Sequence, residues 1–200
     1  MKILQPNFIV GIGGSAGALN AYWALLDALP ANTGMAFVIV CHLMPTANTQ
    51  LAEILSKRTK MPVTVASTAM RIRANHVYVI PPNADLLIKG YTFKVVSPRT
   101  MNKHRHMQVD LFLTSLAEAM GARAIAIIFS GSDGDGTEGC EHIKAKGGIT
   151  FAQDHTAVIS GMPLSAQASG CVDFVLPPEK IPKELQRLVR TSKKKRDAVR

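Results

Sequence analysis

The run Ala124-Ile125-Ala126-Ile127-Ile128-Phe129 is apolar at every position. A strand with one wet face alternates apolar and polar residues. A strand apolar on both faces has both faces covered, as in the middle of a parallel sheet. Phe8-Ile9-Val10 and Met35-Ala36-Phe37-Val38-Ile39-Val40-Cys41 have the same character. Each run stops at a polar or glycine-rich loop that leads into a helical pattern: 16–29 stopped by Pro30, 47–58, and 137–146. Further strands are expected at 61–65, 76–80, 148–152 and 172–176, and further helices at 108–120, 161–169 and 179–191. Residues 85–88 and 92–96 flank Lys89-Gly90-Tyr91 as a β-hairpin. Repeated strand–loop–helix units predict an α/β fold: a doubly wound, mostly parallel sheet with helices on both faces. In such sheets ligands bind beyond the carboxyl ends of the strands.

Two hundred residues fit one domain with a substantial core. We assign it to 1–191, followed by a basic C-terminal tail at 192–200 that includes Lys193-Lys194-Lys195-Arg196. The apolar runs are strand-length, far short of a membrane span, and no secretory signal is visible at the N-terminus. Cys41, Cys140 and Cys171 form no CxxC pair, which fits a reducing, cytoplasmic setting. The formal net charge is +9, with a second basic cluster between Arg99 and Arg105. Such a balance suits an acidic partner, although a charged tail is also what a solvated chain end looks like. No aromatic residues interleave with the basic clusters, so nucleic-acid binding by base stacking is not expected.

The chemistry gathers in three loops. The first is Gly11-Ile12-Gly13-Gly14-Ser15-Ala16-Gly17, a glycine turn between strand and helix. Such a turn can cradle a phosphate or hold a serine nucleophile beside backbone N–H donors. A dinucleotide site also wants an acid at the end of the second strand to hold the ribose; here that place belongs to His42. A histidine there suits the nucleophile reading, because a serine hydroxyl needs a general base. The third loop, Ser130-Gly131-Ser132-Asp133-Gly134-Asp135-Gly136, supplies two acids. Serine, histidine and an acid at one sheet edge are the parts of a hydrolase triad, with the Ala16 N–H at a helix start facing the oxyanion. Plainer roles exist for each: a helix N-cap for Ser15, a backbone-bonded strand-end histidine for His42, turn residues or a weak cation site for Asp133 and Asp135. A calcium loop fails, because its twelfth position from Asp133 is Lys144. His76, His104, His106, His142 and His155 show no metal spacing, so neither metal nor cofactor is expected. Cys41 and His42 point to opposite sides of a strand, which leaves Cys41 as a buried strand residue.

With these residues the chain resembles the chemotaxis protein-glutamate methylesterase family, the CheB catalytic domain, over residues 8 to about 182. The pieces that carry the resemblance are 10–17, His42-Leu43-Met44-Pro45, 76–82, Val109-Asp110, 130–136, Ala152-Gln153-Asp154 and Gly161-Met162-Pro163. It is most similar to the version fused to methyltransferase and sensor modules. The resemblance implies a triad of Ser15, His42 and Asp135, with Gly14, Ala16 and Ser132 at the oxyanion and substrate loop. It implies hydrolysis of glutamate methyl esters on the signalling region of chemoreceptors, with deamidation of receptor glutamines as a related activity. The sequence departs from the family pattern in three places. Ala18 stands where a second glycine is usual, Asp133 replaces a loop glycine, and Ser132 stands where a methionine is frequent. No receiver domain precedes the catalytic stretch, so regulation would be absent, lost at a chain boundary, or supplied by a receiver or methyltransferase module on another chain. The alternative expectation is a catalytically weak module that docks an acidic signalling protein.

Overall fold

The computed structural model describes residues 4–41, 48–97 and 107–198. Seven strands form one sheet: β1 (Ile9–Gly14), β2 (Ala36–Cys41), β3 (Val63–Val65), β4 (His76–Val79), β7 (Ala124–Ile128), β8 (Ile149–Gln153) and β9 (Phe174–Leu176). Their order is β3-β4-β2-β1-β7-β8-β9, and every pairing is parallel. β5 (Asp85–Lys89) and β6 (Thr92–Val96) make a separate antiparallel hairpin. The three all-apolar runs are the three adjacent central strands, buried at every position. That is the environment their lack of alternation demands.

Among the described residues six α-helices cover the sheet: α1 (Leu19–Ala28), α2 (Asn48–Ser56), α3 (Gln108–Met120), α4 (Thr137–Ala145), α5 (Gly161–Ala168) and α6 (Ile181–Ala198). α3 carries its buried side chains at helical spacing, with Val109, Phe112, Leu113, Leu116, Ala117 and Met120 turned inward. It lies directly on β1 because that strand places Gly11 and Gly13 beneath it. A Cβ on Gly11 would stand 2.6 Å from Leu113 Cδ2, and one on Gly13 would run into Val109. On the other side of the strand, a Cβ on Gly14 would meet the Tyr22 hydroxyl of α1 at 2.6 Å. The glycines thus set both helices against β1 at backbone distance, and the N-terminus of α3 arrives at the sheet's carboxyl edge.

Two element boundaries differ from the sequence expectation by three residues or more. α1 starts at Leu19 instead of Ala16, because Gly17 takes the left-handed conformation (φ +79°) and breaks the helix before it begins. The last helix runs on through 193–196 to Ala198, carried by Lys, Arg and Ala, which are good helix formers. Its root is fixed by the fully buried Ile181 and Leu185.

From β1 the chain passes to β2, goes out to the edge at β3 and comes back one place to β4, then crosses to the opposite side of β1 as β7. β1 and β7 therefore flank the point where winding reverses, the crevice where ligands of such sheets sit.

Candidate active site

Ser15 follows the last residue of β1, half-buried at the mouth of this crevice, with Ala16 and Gly17 exposed beside it. Its N–H donates to the Ser130 carbonyl at 2.8 Å, and its own carbonyl accepts the Ala18 N–H at 3.1 Å. The Ser15 turn is thus tied to the loop that leaves β7. The N–H expected to meet an oxyanion, that of Ala16, belongs to this turn and not to a helix N-terminus.

Ser130 is the clamp. Fully buried, it places its hydroxyl 2.8 Å from the Ala16 carbonyl and 3.1 Å from the Ile159 carbonyl, and accepts the Ile159 N–H at 2.9 Å. Its backbone N–H donates to Gln153 Oε1 at 3.0 Å. Gly131 continues the tie as a parallel bridge to Ser160, and its carbonyl accepts the Met162 N–H at 2.9 Å. A side chain at Gly131 would drive into the buried Met162 and stand 3.3 Å from Ser15 Cβ. Ser132 follows, exposed at the crevice rim.

Asp135 is fully buried. Its Oδ2 accepts the Val109 N–H at 3.0 Å and its Oδ1 accepts the Asp110 N–H at 2.9 Å. These are first-turn amides of α3, whose own N-cap, Met107, contributes no side-chain bond. Asp135 therefore caps α3 from another segment, with the positive end of the helix dipole against its carboxylate. Asp133 does something different: partly exposed, it accepts the Asp135 N–H at 3.2 Å and closes a local turn.

His42 lies outside the described residues, as do Leu43 to Thr46 and the basic cluster from Arg99 to Arg105. Gly14 and Cys41 are register partners on β1 and β2, so Ser15 and His42 each follow one member of that pair along the chain. Cys41 is buried, and burial pushes its thiol up to about 12, with the neighbouring Tyr22 hydroxyl pulling the other way. It is a core residue, as its strand position predicts.

The sequence motifs pointed to Val109-Asp110 without giving Asp110 a task. Asp110 is 7 % exposed and accepts the Gly139 N–H of α4 at 2.7 Å. Burial pushes its carboxyl up to about 7, the Gly139 and Gly136 amides pull it down, and the charges of Asp135 and Glu138 push further up. A buried acid in the first turn of an amphipathic helix was the available signal. Among the described residues no three His, Cys, Asp or Glu side chains gather as metal ligands, and no helix is long and apolar enough to cross a membrane.

Fold and site define an α/β protein whose polar machinery is gathered at one switch-point crevice of a parallel sheet. A family model described as CheB methylesterase matches residues 10–185. A relative from Leptospira interrogans is 36% identical over 172 residues, covering 85% of this chain and 89% of its own length. The protein-glutamate methylesterase/protein-glutamine glutaminase of Hydrogenovibrio crunogenus is 29% identical over 187 residues, 91% of this chain and 49% of that one. This chain thus spans about half of that longer relative. The crystal structure of the Thermotoga maritima CheB methylesterase catalytic domain matches with a TM-score of 0.85 at 32% identity, covering 90% of this chain and 98% of that one. The chain belongs to the CheB methylesterase family.

Proposed function

We propose that the protein is a serine carboxylesterase acting on glutamate methyl esters of chemoreceptor signalling regions, releasing glutamate and methanol. Ser15 is the nucleophile, His42 the general base, and Asp135 the acid that orients the imidazole. His42 takes the Ser15 proton as the hydroxyl oxygen attacks the ester carbonyl. The Ala16 N–H faces the developing oxyanion, with Gly14 and Ser132 shaping the approach. His42 returns the proton to the departing methanol. A water then hydrolyses the acyl-enzyme by the same relay and frees the carboxylate. A glutamine side chain offers the same carbonyl with ammonia as leaving group, so deamidation uses the same residues.

The observation that carries this reading is the meeting of the Ser15 turn and the Asp135 loop across the β1/β7 crevice, through the Ser15 N–H to Ser130 carbonyl bond. Asp133, held in its own turn, is a rim residue in this scheme. The names of the homologous enzymes support the same activity, and the binding-module alternative is not favoured. The acidic receptor bundle fits the +9 charge of the chain. Its signalling region places the reaction in the cytoplasm, and a receiver or methyltransferase module on another chain is the regulator this reading expects.

Methanol release from a methylated receptor fragment tests the assignment. Ser15→Ala and His42→Ala should each lower kcat by at least about a thousandfold while circular dichroism and Tm report a folded protein. Turnover near wild type from folded Ser15→Ala would remove the nucleophile.

A further inference from the structure

We infer that Asp110 is a positioning residue for the active site: from the first turn of α3 it holds the start of α4, and thereby sets where the Asp135 carboxylate stands. The inference rests on the esterase reading above, in which Asp135 orients the base.

The geometry is reciprocal. Asp135, just ahead of α4, accepts two amides at the N-terminus of α3. Asp110, inside the first turn of α3, accepts the Gly139 amide of α4 at 2.7 Å, and the amide of Gly136, the residue directly after Asp135, favours its charged form. Each helix is capped by an acid from the neighbourhood of the other, while neither Met107 nor Gly136, the residues at their own N-cap positions, supplies a side-chain bond. Two helix N-termini brought together present like dipole ends and unpaired amides, and each needs an anionic or polar acceptor. Removing either acid leaves the other's partners displaced.

The contact has little slack. A Cβ on Gly139 would stand 2.5 Å from Leu113 Cβ and 3.3 Å from Asp110 Cα, so α4 crosses α3 at backbone distance at this spot. Close-packed backbones transmit a shift instead of absorbing it. Asp110 is buried, so its effect on catalysis passes through Asp135 and not through substrate contact.

The pair also carries a charge consequence. The charged groups facing Asp110 are Asp135 in the loop after β7 and Glu138 on α4, and the Cys140 thiol of the next turn of α4 feels its charge. With its carboxyl raised to about 7, mainly by burial, Asp110 gains its negative charge within the neutral pH range. A negative charge beside Asp135 favours the protonated, cationic form of a base held by Asp135. Removing that charge must lower the base's apparent pKa, so the acid limb of the activity profile must move to lower pH.

The test measures kcat and KM for a methylated receptor fragment from pH 5 to 9, in wild type, Asp110→Asn, Asp110→Ala and Ser15→Ala. Asparagine keeps an oxygen for the Gly139 amide but cannot ionise. Its plateau kcat should stay within about tenfold of wild type while its acid limb moves to lower pH. Alanine loses the acceptor, and kcat should fall by roughly ten- to a hundredfold with KM changed less than about twofold. Should Asp110→Ala fail to fold, the limb shift of Asp110→Asn decides alone. An unshifted limb in Asp110→Asn, or a loss expressed in KM, overturns the inference. If Ser15→Ala is inactive in that case, the esterase reading stands and only the role of Asp110 falls. If Ser15→Ala is active, the reading itself falls and the inference with it.

Discussion

The two sides of the crevice are built by different means. On the nucleophile side, the Ser15 turn is short and partly exposed, and it is held by a neutral clamp: the Ser130 hydroxyl, the Ser130 carbonyl and the Gln153 amide oxygen. On the acid side, Asp135 is fully buried, and two helix N-terminal amides donate to its carboxylate. The first arrangement leaves the Ser15 turn accessible while fixing its backbone. The second holds a buried carboxyl with backbone donors that cannot rotate away. A neutral clamp should be indifferent to pH. A pair of acids facing two helix dipoles should not be.

The largest effect should come from the acid side. Asp135→Asn should lower kcat by about a thousand- to ten-thousandfold, because an amide holds the wrong imidazole tautomer. Here it also turns an NH2 group toward the Val109 or Asp110 amide, donor against donor. Asp133→Asn should cost less than about tenfold, since its oxygen can still accept the Asp135 N–H in the local turn. Methanol release by the two variants, side by side, gives the ranking. The reverse order would mean that Asp133 is the orienting acid.

A smaller effect is expected on the nucleophile side. Ser130→Ala strips the Ile159 N–H of its acceptor and leaves the Ala16 carbonyl without its donor. Unfolding in urea should show a loss of about 1–3 kcal/mol, the cost of stranding buried polar groups. The accompanying fall in kcat should be the same factor at pH 6 and pH 9. A pH-dependent fall would erase the contrast between the two sides.

The smallest effect concerns the whole surface. A net charge of +9 should speed encounter with an acidic helical bundle. Raising the salt shortens the Debye length, about 10 Å at 0.1 M. We expect kcat/KM on a receptor fragment to fall with added salt, while hydrolysis of a small neutral ester changes little. Equal salt sensitivity would make the charge a solubility feature.

Much of the fold was legible because parallel sheets write themselves into sequence. The all-apolar 124–129 run could only be a central strand, and β7 is one. The hairpin at 85–96 and the helix over 108–120 also stand where turn residues and helical spacing put them. The start of α1 was missed because helix propensity does not see the backbone state of Gly17, which only the packed turn imposes. The serine and the paired acids were visible as types in glycine loops. That Asp135 is buried against α3 and Asp133 is not could not be read from a two-residue spacing.

The chain itself determined its periodicities, its glycines at 11, 13 and 14, and the order in which polar loops follow apolar strands. Those are local properties, set by side-chain size and backbone freedom. Tertiary structure alone decided that β7 returns to lie beside β1, so that residues 15 and 130, far apart in sequence, share a hydrogen bond. It alone decided that α3 and α4 cross near their N-termini and exchange acids across their first turns. A pairing of that kind has no sequence signature, because it depends on two helix dipoles being brought to one place, and only the assembled sheet brings them there.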